Sequence, residues 1–187
     1  MKVLAFFGGA RKHGNTMAML NYLLDNIEGE KEIINCYDLS VSPCIDCRYC
    51  FKHRACSIKD GMTEIYKKVD EADMIIFAAP TYFFGIPGPM KVMIDRFQMY
   101  WSSVIRGDKP ANYTKVGAYL MSGGGPLFKN QFTGGGLQLS EALVVTNTKK
   151  IGQVLMDDAD IVKNLDQRPE IKKEILVLAN LLNNSLQ

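Results

Sequence analysis

Residues 2–16 read KVLAFFGGARKHGNT. The opening run, residues 2–8, is apolar with no polar alternation, which suits a strand buried on both faces of a parallel sheet. A glycine loop follows, Gly8-Gly9-Ala10-Arg11-Lys12-His13-Gly14. Asn15 or Thr16 then offers a cap, and Met17, Leu20, Leu23, Leu24 and Ile27 recur at helical spacing. Strand, glycine loop and helix in that order decide the fold class. They also suggest chemistry, because N–H groups at a helix start are unpaired and the dipole there is positive. Arg11 and Lys12 add charge and Thr16 adds a hydroxyl, so a phosphate monoester is the natural guest. A tight turn with a good cap is the plainer alternative. The G-x-G-x-x-G and Walker patterns are absent, so dinucleotide and ATP sites of those kinds are not indicated.

The same alternation runs on down the chain. Residues 31–37 read as a second strand containing Cys36, taken as a small buried side chain. A short helix carries Ile65 and Val69, and residues 73–79 form the clearest buried strand. Pro89 opens a helix with Met90, Met93, Ile94, Phe97 and Tyr100 on one stripe. Residues 115–121 make a fourth strand, and the polar, glycine-rich stretch 128–136 is expected to be a mobile loop. A weaker helix is expected over 137–147, a fifth strand over 150–156, and a last helix from about Pro169. Strands alternating with helices predict an α/β, doubly wound, five-stranded parallel sheet with helices on both faces, in one domain over residues 1–187. Ligands of such sheets bind outside the carboxyl ends of the strands. The loops after strands one, three and four are therefore expected to meet in one site.

Composition narrows the function. A net charge of +2 is too mild to argue for nucleic acid. No apolar run approaches the roughly 20 residues that span a bilayer. No cleavable secretory signal is recognisable at the N-terminus, so a cytoplasmic setting is expected. There, bunched cysteines bind metal or do redox work more often than they staple a scaffold.

Four of the five cysteines fall in residues 44–56, CIDCRYCFKHRAC, spaced C-x2-C-x2-C-x5-C. Thiolates two residues apart can turn toward one cluster, and the ferredoxin run C-x2-C-x2-C-x3-C-P is related but not the same. The fourth spacer here is longer, and Ser57 rather than proline follows. A [4Fe–4S] cluster on Cys44, Cys47, Cys50 and Cys56 is the preferred occupant. Zinc, a dithiol–disulfide pair at Cys47 and Cys50, and coincidence are the alternatives. His53 is a poor ligand candidate beside four cysteines. Arg48, Lys52, His53 and Arg54 form either a solvated loop or a positive field for an acidic electron donor.

These residues resemble a known group. The frame is similar to the flavodoxin-like NAD(P)H-dependent FMN reductases, and the cysteine segment is similar to that of the iron–sulfur flavoproteins. Their motif P-C-x-x-C-x-x-C, then a cysteine and an Asp-Asp-Met-like segment, is matched by Pro43 through Cys50, Cys56 and Asp60-Gly61-Met62. Their P-T-Y-F-x-x-x-x-G-P-M-K-x-x-I-D-R is matched by Pro80 through Arg96. The likeness extends through about Gly125 and fades beyond Gly136.

The resemblance implies strand order 2-1-3-4-5, with the cysteine-rich segment 43–60 inserted after strand two. It implies FMN, with Gly9, Arg11, Gly14, Asn15 and Thr16 around its phosphate. Pro80, Thr81, Tyr82, Phe83, Phe84 and Gly85 would flank the ring, with Ser122, Gly123, Gly124 and Gly125 on the other side. The first loop departs from the family's S-P-R-x-x-S-N-T by two missing hydroxyls, so phosphate affinity would rest on backbone amides and Arg11.

The expected function is an electron-transfer flavoprotein. Its cluster moves single electrons, and FMN takes two as a hydride or one at a time. The donor would be ferredoxin or NAD(P)H, and the acceptor dioxygen, hydrogen peroxide or a quinone. No side chain is assigned acid–base work. A homodimer or homotetramer is implied by the resemblance. The rivals are a cluster-free NAD(P)H-dependent FMN or quinone reductase, and a non-enzymatic redox sensor or zinc-bearing interaction protein.

Overall fold

The computed structural model describes residues 1–162 and 164–185. Five parallel strands, β1 (Lys2–Phe7), β2 (Glu30–Asn35), β3 (Met74–Pro80), β4 (Lys115–Ser122) and β5 (Thr148–Met156), lie in the order β2-β1-β3-β4-β5. This is the flavodoxin-like order. The central strands β1, β3 and β4 are the uninterrupted apolar runs, and both their faces are buried.

One face packs on α1 (Asn15–Asp25) and α7 (Pro169–Asn184). Val3, Ala5, Phe7, Ile76 and Ala118 meet Met19, Leu23, Ile175 and Leu178 there. The opposite face packs on α2 (Met62–Glu71), α3 (Gly88–Asp95) and α6 (Thr133–Val145), where Phe6, Ile75, Phe77 and Met121 meet Ile65, Met93 and Leu143. Among the described residues, no helix is long and apolar enough to cross a membrane.

Several expectations need correction. Cys36 is buried as expected, but β2 ends at Asn35 and Cys36 starts a single 3-10 turn capped by the Asn35 side chain. The cap of α1 is Gly14, not Asn15 or Thr16, and no side chain caps it. The helix expected around residues 90–100 is three short pieces: α3, α4 (Gln98–Trp101) and α5 (Ser103–Arg106). The same apolar stripe serves all the pieces, so periodicity could not show the breaks.

The largest correction concerns residues 128–136. Gly134, Gly135 and Gly136 lie inside α6, which starts at Thr133. Glycine is a poor helix former, but here its bareness lets the helix start press on the turn after β3. The Gly135 N–H donates to the Phe84 carbonyl at 2.8 Å. A side chain on Gly134 would collide with that same carbonyl oxygen.

Candidate functional site

The carboxyl ends of the strands are laced together by backbone bonds that continue the ladders. Gly8 N–H donates to Ala78 O (2.8 Å), Thr81 N–H to Ser122 O (2.7 Å) and Gly123 N–H to Met156 O (2.7 Å). A crevice of about 140 Å³ opens over them. It is lined by Gly9, Arg11, Gly14, Asn15 and Thr16 after β1, by Pro80, Thr81 and Tyr82 after β3, and by Ser122 and Gly124 after β4. The three loops expected to meet do meet. Phe83, Phe84, Gly85, Gly123 and Gly125 are not among the lining residues. Phe7, Ala10, Ala159 and Asp160 line it without having been expected. The last two come from the loop after β5, where the local sequence carries no glycine signal.

The side chains already have work. Thr16 and Ser122 share a hydrogen bond of 2.5 Å across the buried floor. The Asn15 side-chain amide donates to the carbonyls of Ala159 and Val162, both at 2.7 Å, and so ties the last loop to the first. Arg11 pairs with Asp160 at 3.1 Å. Thr81 is different: its hydroxyl is buried and has no partner among the described residues. An orphaned hydroxyl in a crevice with the start of α1 beside it suits an anionic ester.

The aromatic turn after β3 is strained. Tyr82 and Gly85 exchange backbone hydrogen bonds of 3.0 and 2.9 Å. Between them Phe83 (φ 47°) and Phe84 (φ 63°) both sit in the left-handed region. That is the pattern of a type I′ turn, which favours Asn-Gly. Phe83 is fully exposed, so no packing repays its conformation. Strain held at a site mouth points to function. Phe83→Asn is expected to raise unfolding free energy by about 1 kcal/mol, read as a higher urea midpoint at unchanged slope.

The cysteine segment forms a second cavity. Cys44, Cys47, Cys50 and Cys56 all line it, beside Arg48, Ser57, Arg96 and Met99. All five cysteines are free thiols. Cys50 Sγ lies 3.3 Å from Ser102 Oγ. Cys47 Sγ lies 3.1 Å from Ser57 Oγ, and that contact together with the Tyr49 N–H holds its thiol below the usual range. Four thiols on one cavity suit a sulfur-ligated group. Among the described residues, however, no three His, Cys, Asp or Glu side chains are gathered closely enough to hold one metal ion. His53 stacks on Tyr49 instead (4.2 Å between ring centroids).

The segment is held down by two arginines. Arg106 donates to the Cys50 carbonyl at 2.6 Å. Arg96, at the end of α3, is 2% exposed and reaches both ends of the segment. It donates to Ser42 O (2.7 Å), to Ile58 O (3.3 Å) and to both Asp60 oxygens (2.9 and 3.3 Å). Arg96 closes the Pro80–Arg96 motif, and nothing local in the sequence points to its contacts with residues 42–60.

A flavodoxin-like sheet with an anion-suited crevice at its carboxyl edge defines a class of α/β nucleotide-cofactor proteins. Within that class, residues 1–130 match the model of the NADPH-dependent FMN reductases, and the chain belongs to that family. An iron–sulfur flavoprotein of Methanocaldococcus jannaschii is 40% identical over 99 residues, 51% of each chain. One of Methanosarcina thermophila is 34% identical over 127 residues, 66% of this chain and 64% of the relative. The resemblance to iron–sulfur flavoproteins is thus borne out. The aligned part spans about half the length of the first of these relatives.

Two solved structures share the fold. An NADH:FMN oxidoreductase superposes with a TM-score of 0.66 at 16% identity, covering 100% of this chain and 90% of its own. An FMN-dependent NADH-azoreductase of Bacillus anthracis, in complex with FMN, gives 0.65 at 14%, covering 98% and 100%.

Proposed function

We propose that this chain, acting as one domain, is a flavin-dependent oxidoreductase that binds FMN in the crevice and a [4Fe–4S] cluster at the four cysteines. Gly9, Gly14, Thr16, Ser122 and Arg11 would hold the phosphate. The crevice volume is below the roughly 300 Å³ at which whole-ligand pockets begin. It would therefore take the phosphate end, leaving the ring to the exposed turn Tyr82-Phe83-Phe84-Gly85 and to Gly123–Gly125. When bound, FMN supplies hydride and single-electron chemistry, and the protein supplies position and electrostatics. The donor would be ferredoxin or NAD(P)H and the acceptor dioxygen, hydrogen peroxide or a quinone. A homodimer or homotetramer is the proposed assembly.

The observation that carries the reading is the orphaned Thr81 hydroxyl in a crevice that also opens on the start of α1. Iron, acid-labile sulfide and flavin analysis of anaerobically purified protein tests it. About four irons and four sulfides per chain, with FMN bound on titration, is the expected result. Flavin without iron would favour a cluster-free NAD(P)H-dependent FMN or quinone reductase. Metal without flavin would overturn both.

A further inference from the structure

Asp160 brings a carboxylate to the crevice proposed to take a phosphate. It lines the same crevice as Gly9, Gly14 and Thr16, and it pairs with Arg11 at 3.1 Å. Arg11 is the arginine that the family's first-loop pattern offers to the phosphate. Asp160 is not needed to hold its own loop. The Asp160 N–H donates to Gly124 O (3.0 Å), the Ala159 N–H to Gly123 O (2.9 Å), and the Asn15 amide binds the Ala159 and Val162 carbonyls. The backbone positions the residue, and the carboxylate is left over. It lies directly against Gly124, where any side chain would displace it. Its position lies beyond residue 130, where the match to the family model ends.

Two effects follow from Coulomb's law, and they point the same way. The carboxylate neutralises Arg11, so a phosphate must share that arginine or break the pair. It also repels a dianion lodged beside it. Both penalties fall on FMN, and neither falls on riboflavin, which has the same ring and no phosphate.

We infer that Asp160 sets the charge selectivity of the crevice by occupying Arg11 and opposing the ligand's phosphate, so that FMN is held exchangeably and with little preference over riboflavin. The inference rests on the FMN reading above. Its salt dependence is distinctive. Attraction from Arg11 and repulsion from Asp160 offset each other in the native protein. Removing the carboxylate unmasks an attraction that salt screens.

The test measures FMN and riboflavin affinities by flavin fluorescence for the native protein and for Asp160→Asn, Arg11→Met and the double variant. Both side chains are largely exposed, so Asp160→Asn is expected to tighten FMN about twofold to fivefold and to leave riboflavin unchanged. Its FMN affinity should fall as salt is raised. Arg11→Met should weaken FMN severalfold and leave riboflavin unchanged, because it unmasks the Asp160 repulsion, and the double variant should return close to the native FMN affinity. Equal tightening of both flavins, or no tightening of FMN, overturns the inference while the FMN reading stands. Failure of the native protein to bind any flavin overturns the reading itself, and the inference with it.

Discussion

Replacing Arg96 by methionine is expected to lower unfolding free energy by about 3–5 kcal/mol and to release the cysteine segment. The Arg96 side chain is 1% exposed and that of its partner, Asp60, is 14% exposed. Methionine fills the arginine's stem volume but leaves Asp60 without its counter-charge. It also leaves the Ser42 and Ile58 carbonyls without their donor. Those contacts sit on either side of Cys44–Cys56, so they close the loop like a clasp. Arg48, Lys52 and Arg54 are already exposed, so release frees the backbone around them, and trypsin cleavage there should accelerate at least tenfold as opening becomes easy. Arg96→Lys should rescue little, because an ammonium cannot present the planar fork that serves three separate residues. Unchanged proteolysis in Arg96→Met would show that Arg106 and the Cys50 carbonyl suffice to hold the segment.

The pair also gives a pH signature. Burial works against the Asp60 charge, but hydrogen bonds from Arg96 and from the Ser42 and Met62 N–H groups outweigh it and hold its carboxyl below the usual range. A group depressed on folding contributes stability fully above its unfolded pKa, near 3.9. That contribution is lost as pH falls through the lower folded value. Native protein should therefore lose stability below about pH 4, through this pair among its other carboxylates. The acid limb of Arg96→Met should be shallower, as followed by thermal melts at a series of pH values.

Arg96 also shows where the sequence was legible. The buried strands could be read because nothing polar interrupts them: residues 2–8 became Lys2–Phe7 and 73–79 became Met74–Pro80. The three glycine-bearing or aromatic loops were read from their composition, and parallel topology brought them together. What escaped depends on contacts distant in the chain. The helical stripe Met90, Met93, Phe97 hides a break at Arg96, whose side chain is spent on residues 42–60. Gly134–Gly136 looked like a loop because intrinsic propensity disfavours glycine in helices. Close approach to the turn at Phe84 overrides that preference. Asn15 looked like a phosphate ligand, yet its amide holds carbonyls at 159 and 162. Asp160 had no local signal at all, since its meaning lies in Arg11 at the far end of the chain.

Thr81→Val is expected to shift stability and ligand affinity in opposite directions. Valine matches threonine in shape and removes one hydroxyl. In the ligand-free protein that hydroxyl is buried without a partner, a state that costs about 1–3 kcal/mol relative to a satisfied group. Removing it should therefore leave ligand-free stability unchanged or raise it by up to about 1 kcal/mol. With a group of the flavin as the missing partner, the same change removes a hydrogen bond to the bound ligand. FMN affinity should then fall about tenfold to a hundredfold. Thr81→Ser keeps the hydroxyl and should keep most of the affinity. A variant that is merely misfolded would lose both quantities together, so the opposed signs separate a ligand contact from a structural role. Thr81→Val that binds FMN as well as the native protein would show that the orphaned hydroxyl is not satisfied by the ligand, and the observation on which the flavin reading chiefly rests would fall.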